Sequence, residues 1–460
     1  MFTLLATLAL SPANAQAWSP YSFEMPSTLA GQAIQTSEVD GWIQRSVGAS
    51  RQFGYGGLEA EDDYAYAEGG MAEPASVPMA PPPPSRPSRR AKPTMSGGAK
   101  GGDAPMPSPA AQSASPLKAG TTDDNAAFGE FLEFLATWKG KPGIAGQHVE
   151  MDVRDRAHIQ VKGDRGMPLP GARVTVSSGR TTLWSGTTYG DGRAPFFPKL
   201  DSVEAKNRPL TVQVQHAGQV RQVAWDGASP LSLTVDDTPD EKVQLDVVFV
   251  IDTTGSMSDE IERIKSTLLT VTAKVQNADR PVDLRYGAVL YRDIGDEYLT
   301  RHTPLTTDLK GFDAKLQGIR ADGGGDGPES YNQGLAVAVG EMDWRQDAAK
   351  LVFVVADAQP HMDYENDVDY ARVSQAALAE GIRIHTVAAS GLQDFGSLVF
   401  RQTSQLTQGR FIFIEYGSTA ASAADHGVTG PVHSNNLDAI LLRQIRREID
   451  GWGRTTVAMR

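Results

Sequence analysis

Cysteine is absent from all 460 residues. That excludes disulfides, thiolate metal sites, cysteine nucleophiles and a lipid-bearing amino-terminal cysteine. Long apolar runs are also lacking. The apolar run Phe2 to Leu10 is too short to span a bilayer, and no later segment reads as transmembrane. Positive charge is in deficit, with 43 Lys and Arg against 56 Asp and Glu and a net charge of -13, which argues against a polyanionic partner and leaves no nucleic-acid footprint. His-Glu-x-x-His, Gly-x-Ser-x-Gly and Gly-x-x-x-x-Gly-Lys-Ser/Thr do not occur, so no familiar nucleophile, catalytic zinc pair or phosphate loop is present.

The start of the chain carries an address. The run Phe2 to Leu10 is followed by Ser11-Pro12-Ala13-Asn14-Ala15 and Gln16, and Ala-x-Ala before Gln16 reads as a signal-peptidase site. The expectation is a signal peptide over 1–15 and an exported protein, periplasmic or extracellular. Residues 16–122 offer little that could pack. An acidic tract with Tyr64 and Tyr66 is followed by a Pro-, Ala-, Ser- and Gly-rich stretch that includes Pro81 to Pro84. Such composition buries too little apolar surface to offset chain entropy and predicts a disordered tether. Over 123–146, Ala127, Phe128, Phe131, Leu132, Phe134, Leu135 and Trp138 recur at helical spacing and predict an amphipathic helix packed on the domain that follows.

From 147 to 236 the chain alternates as strands do, in Ala157-His-Ile-Gln-Val161, Ala172-Arg-Val-Thr-Val176 and Leu210-Thr-Val-Gln-Val214, with Gly and Asp-Gly turns between. This predicts a separate all-β domain. The run Gly166 to Val176, with Gly190-Asp-Gly-Arg193 and Phe196-Phe-Pro198, resembles the carboxypeptidase regulatory-like or transthyretin-like β-sandwich, a kind of domain that spaces or presents others.

The most informative stretch is Val247 to Ser256, VVFVIDTTGS. Five apolar residues before Asp252 predict a strand buried on both faces. A turn at Gly255 and a charged helix follow, so Asp252, Thr254 and Ser256 gather at the strand's carboxyl end, where open α/β sheets bind ligands. Asp-x-Thr-x-Ser resembles the first loop of the metal-ion-dependent adhesion site of von Willebrand factor type A domains. The resemblance implies two further loops, for which the sequence offers Asp322-Gly-Gly-Gly-Asp326-Gly-Pro-Glu329 and Asp357 after the strand Leu351 to Val355. Tyr291-Arg-Asp293 with Gly295-Asp-Glu-Tyr298 also resembles a bacterial branch of these domains. Where well-known members place threonine in the second loop, this chain has Gly325-Asp326, so Asp326 is read either as a direct ligand or as a helix cap.

Thr254 and Ser256 are neutral oxygen donors, and Asp252, Asp326 and Asp357 are anionic ones. An all-oxygen set without Cys or a nearby His suits Mg²⁺ foremost, or Mn²⁺ or Ca²⁺, and disfavours zinc. By resemblance, a protein ligand's carboxylate completes the metal shell. Residues nearest the loops supply an expected partner-binding rim: Met257, Ser258, Tyr291, Asp293, His361, Asp363 and Tyr364.

Over 243–452 the elements alternate, predicting an α/β fold with a doubly wound, mostly parallel six-stranded Rossmann-like sheet. Two function classes follow. One is an exported, non-enzymatic, metal-dependent binding protein of adhesion or envelope assembly. The other is a metal-dependent hydrolase using the same cation as Lewis acid, with a purely fold-stabilising metal as a third reading.

Overall fold

A computed structural model describes residues 116–141, 149–200, 209–227, 229–237, 242–276, 281–325, 327–365 and 367–452. The expected signal peptide and nearly all of the tether lie outside these residues. Strand β1 (Lys118–Thr122) and helix α1 (Phe128–Trp138) come first. Seven strands follow: β2 (Ala157–Lys162), β3 (Arg173–Ser178), β4 (Thr181–Thr187), β5 (Arg193–Phe196), β6 (Leu210–His216), β7 (Gln219–Trp225) and β8 (Leu231–Thr234). The remainder alternates β9 (Val243–Asp252), α2 (Ile261–Gln276), β10 (Val282–Tyr291), β11 (Thr300–Thr306), α3 (Leu309–Gln317), α4 (Tyr331–Gly340), β12 (Ala349–Ala356), α5 (Tyr370–Ala379), β13 (Ile382–Ala388), α6 (Asp394–Leu406), β14 (Phe411–Ile414), α7 (Thr419–Asp425), β15 (His433–Asn436) and α8 (Leu437–Gly451).

Strands β2 to β8 form two sheets, ordered β5-β2-β8 and β4-β3-β6-β7. Their alternating inward residues, among them Ile159, Val161, Val174, Val176, Trp184, Phe196, Val212 and Val214, meet in one core. The larger sheet runs β11-β10-β9-β12-β13-β14-β1-β15. Strands β10, β9, β12, β13 and β14 are parallel, and β11, β1 and β15 run against their neighbours.

Parity along β9 explains why this sheet is covered twice. Val248 and Val250 face a core shared with α4, α5 and α6, while Val247, Phe249 and Ile251 face α2, α3 and α8. Every residue of β12 is buried, as a central parallel strand requires. Phe249 anchors the second face by stacking on Tyr286, Phe312 and Phe353 at centroid distances of 6.1, 6.3 and 5.9 Å.

Two expectations need correction. The sheet has eight strands rather than six, because β1 and β15 add an antiparallel pair beyond β14. Neither segment advertises itself: KAGTT has a glycine at its centre and HSNN is polar throughout. Gly120 is needed there, since a Cβ would sit 2.3 Å from the Phe413 ring on the neighbouring strand. The tether expected over 16–122 therefore ends earlier, with 118–122 inside the α/β sheet. Helix α1 likewise packs on the α/β domain. Trp138 meets Phe395 edge-on at 6.1 Å, and Arg401 of α6 lies 3.8 Å from the Phe134 ring. The β domain is thus inserted between α1 and β9, and both parts belong to one compact unit.

The insertion packs against the amino-terminal ends of the parallel strands. Arg383 in β13 sits 2.9 Å from Glu448 of α8, 3.2 Å from Asp191 of the β domain and over the Tyr189 ring. A Cβ at Gly190 would collide with Glu448, and one at Gly171 with Asp347.

At the other margin, Asp124 and Arg401 form a bidentate pair at 2.7 and 2.9 Å, each side chain 2% exposed. Removing one member of such a pair strands the other charge in the interior. Asp124→Ala is expected to lower unfolding free energy by about 3–5 kcal/mol in chemical denaturation. A loss below about 1 kcal/mol, the level of an exposed pair, would show that the pair does not fasten β1 and α1 to the core.

Candidate metal centre

Parallel pairing brings the site's elements to one edge. Asp252, the last residue of β9, is in register with Tyr291, the last of β10, and Asp357 directly follows β12. After Asp252 the chain turns through a 3-10 segment, Gly255–Asp259, which projects Thr254 and Ser256 back over the strand end. The first loop is bolted to the second. Gly255 N donates to Gly323 O at 2.9 Å, and Asp322 N donates to Thr253 O at 3.0 Å.

Four of the five expected ligands form one chain of contacts. Asp252 Oδ1 accepts from Thr254 N at 2.9 Å and from Thr254 Oγ1 at 2.7 Å. Ser256 Oγ lies 3.2 Å from Thr254 Oγ1 and donates to Asp357 Oδ1 at 2.9 Å. Each hydroxyl spends its single proton on a carboxylate, so the two hydroxyl oxygens face one another with lone pairs only. Asp252 is fully buried, and its Oδ2 has no hydrogen-bond partner. Asp326 lies outside the described residues.

The electrostatics are unfavourable for an empty pair of carboxylates. Burial, then the charge of Asp357, pushes Asp252 up to about 7 against the hydrogen bonds of Thr254. Burial raises Asp357 to about 6, with Ser256 pulling down and the charge of Glu260 pushing up. Among the described residues, no lysine or arginine forms an ion pair with either group or figures among the main causes of its shift. The Tyr291 hydroxyl lies toward Asp252 and moderates its shift, though neither it nor Oδ2 completes a hydrogen bond.

Two acidic residues outside the expected ligand set also reach the site. Glu329 is 3% exposed, and its backbone is locked by Glu329 N to Gln359 O at 2.9 Å and His361 N to Glu329 O at 3.1 Å. Its carboxylate lies beside Thr254, because a Cβ placed on Gly324 would be 2.7 Å from Glu329 Oε1 and 3.2 Å from Thr254 Cβ. Glu260 is buried, with Oε1 accepting from Ser390 N at 3.3 Å. The motif ending in Glu329 was visible in the sequence, but only the tertiary lock on its backbone turns that side chain inward. Among the described residues no cluster of three or more His, Cys, Asp or Glu stands as a ready metal cage. The arrangement mixes hydroxyls with carboxylates.

Most of the expected rim lies beneath the surface. Met257 is 1% exposed and Tyr291 0%, so neither reaches a partner from these positions. An apolar side chain and a strand-terminal aromatic of the Val289 parity both face the core. Asp293 and His361 are also buried. Asp293 accepts from Ser330 Oγ at 2.8 Å and from Tyr364 OH at 2.7 Å, and His361 stacks on Tyr364 at 3.9 Å with Nδ1 2.8 Å from Asp363 Oδ1. These four residues brace the loops. Ser258 and Asp363 are exposed and Tyr364 half-buried.

Residues 246–412 match the von Willebrand factor A domain family. A relative, "Alpha-protein kinase vwkA" of Dictyostelium discoideum, is 31% identical over 119 residues, which cover 25% of this chain and 19% of that protein. The match therefore spans about a fifth of the kinase. Among solved structures, the pilus adhesin SpaC from Lactobacillus rhamnosus GG in its open conformation is 12% identical, with a TM-score of 0.33, over 53% of this chain and 32% of the adhesin. BatB from Bacteroides thetaiotaomicron is also 12% identical with a TM-score of 0.33, over 45% of this chain and 99% of BatB.

The second loop depends on two left-handed glycines, Gly323 at φ +79° and Gly324 at φ +72°. Gly324→Ala combines backbone strain with a contact to Glu329, and is expected to cost about 1–3 kcal/mol in denaturant unfolding. A neutral result would mean that the loop relaxes without holding Glu329 against Thr254.

Proposed function

We propose that this is a non-enzymatic, cation-dependent protein-binding module that acts outside the cytoplasm, in the periplasm or at the cell exterior. Membership of residues 246–412 in the von Willebrand factor A domain family supports a binding or adhesion role. Among the described residues no helix is long and apolar enough to cross a membrane. The observation that carries the cation is the buried, unpartnered Oδ2 of Asp252, set beside two hydroxyl oxygens that have no proton left to share.

Asp252, Thr254, Ser256 and Asp357 would hold the ion, with Asp326 and Glu329 as the second loop's candidates. Hard oxygen donors of this kind suit Mg²⁺, Mn²⁺ or Ca²⁺. A bound cation supplies a Lewis-acidic point that a partner's carboxylate completes. The chain's own residues fix its position, since Thr254 and Ser256 are oriented by the carboxylates they bond. The family match is what favours binding over hydrolysis.

Thermal unfolding of the full chain in Mg²⁺, Mn²⁺, Ca²⁺ or EDTA tests the site. A cation at about 100 times its Kd adds ~2.7 kcal/mol to the native state, which should raise the midpoint for the parent chain and not for Asp252→Asn. In EDTA the variant should melt no lower than the parent, because it removes a buried charge without a counter-charge. Equal response of both proteins to every cation would sink the site. Magnesium-dependent turnover of phosphate esters or peptides, lost in Asp252→Asn, would replace the binding reading with the hydrolytic one.

A further inference from the structure

Among the described residues four large apolar side chains stand exposed: Val220, Ile294, Leu299 and Tyr416. Two of them belong to the single loop between β10 and β11, where Ile294 is 59% and Leu299 37% exposed. That loop leaves β10 directly after Tyr291, the register partner of Asp252, and Ile294 lies three residues on. With neighbouring strands about 4.8 Å apart and at most ~3.4 Å of rise per residue, Ile294 lies within about 15 Å of Asp252.

The loop is not a loose excursion. Asp296 Oδ2 accepts from Asp293 N at 3.1 Å and from Gly324 N at 2.8 Å, tying the loop to the second loop of the site. Beneath it, Tyr298 is held between Arg292 and Arg301 at 4.5 and 4.1 Å, with its hydroxyl 2.7 Å from Thr253 Oγ1. The braced loop keeps its isoleucine and leucine in water. Such exposure on a rigid support is the mark of a contact surface.

The surroundings are mostly acidic. Asp259, Asp322, Asp363 and Glu365 are exposed on the surrounding loops; the exposed Glu297 is paired with Arg301 at 2.8 Å, and Arg292 is buried and turned to Thr253 O and Arg320 O. An acidic surround repels an acidic surface and attracts a basic one.

We propose that the Ile294 and Leu299 loop is the specificity patch of the site, and that it selects a protein segment in which one carboxylate is accompanied by an apolar side chain and flanked by basic residues. The carboxylate in this statement rests on the cation reading above. The apolar and basic preferences rest on the loop alone.

The test uses short synthetic peptides carrying one Asp, a Leu within about four positions of it and Lys at the flanks. Binding to the full chain is followed by fluorescence anisotropy in Mg²⁺ and in EDTA. Replacing Leu by Ser should weaken binding about tenfold for the parent chain, the weight of one partly buried apolar side chain, and should have little effect for Ile294→Ser. Val220→Ser, equally exposed but on β7, should keep the leucine preference. Replacing the flanking Lys by Glu should weaken binding further, by a factor that shrinks as salt is added. Because Ile294 is exposed, an unchanged melting curve for Ile294→Ser serves as its folding control.

A leucine preference that survives Ile294→Ser, Glu-flanked peptides that bind as well as Lys-flanked ones, or no binding by any peptide would each overturn the proposal. The two readings fail separately. Leucine and lysine preferences that persist in EDTA, with Asp replaceable by Asn, would remove the cation and keep the patch. Strict dependence on Mg²⁺ and Asp without those preferences would do the reverse.

Discussion

Asp252 is the constraint on which the upper half of the molecule turns. Its carboxylate closes a central strand of the larger sheet that is covered on both faces, has no access to water and leaves one oxygen without a partner. A carboxylate in such a place costs several kcal/mol unless charge or hydrogen bonds answer it. The surrounding architecture keeps it there regardless. Thr254 is drawn over it by two hydrogen bonds, the first loop is tied through Gly255 to Gly323, and the second loop is tied through Asp296 and Gln359 to the loops on either side. Three loops that could each relax alone are cross-linked by backbone hydrogen bonds, so the strained arrangement is held rather than avoided.

How much of this was legible in the chain follows from which interactions decided it. Strand β12 stands within two residues of its expected place, because a buried parallel strand must be apolar along its whole length. Strands β1 and β15 carry no such pattern. Their place is set by pairing across nearly three hundred residues of chain and by the room Gly120 leaves for Phe413. Asp252, Thr254, Ser256 and Asp357 converge as their positions at strand ends imply. Glu329 could not be read the same way, since the direction of its side chain depends on hydrogen bonds to Gln359 and His361 in another loop. The burial of two rim residues does show in the sequence. Tyr291 has the parity of Val289, which faces helix α4, and Met257 is apolar in a polar turn.

The β domain shows why the site end stays open. It enters the chain between α1 and β9, yet its contacts fall on the opposite pole, at the start of β12 and β13 and the last turns of α8. Its Asp191 and Tyr189 share Arg383 with Glu448, so the end of α8 is fixed between two domains. The carboxyl ends of the parallel strands receive none of these contacts.

That polarity sharpens a contrast in how this protein answers buried acids. Asp246, at the amino-terminal end of β9, accepts from both Arg285 and Arg345. Burial would raise its pKa, but those hydrogen bonds outweigh it and hold the group below its usual value. Asp124 has Arg401, and Glu448 has Arg383. Each of these three carboxylates is thus given a guanidinium of its own chain. Asp252 and Asp357 are given hydroxyls, and the nearby Arg292 is spent on backbone oxygens and on Tyr298. A hydroxyl offers one proton and keeps its lone pairs, so it cannot neutralise the pair but can stand with it around a positive ion. The same strand therefore ends in two chemistries: an acid compensated from within at its start, and at its finish an acid whose compensation the chain itself does not provide.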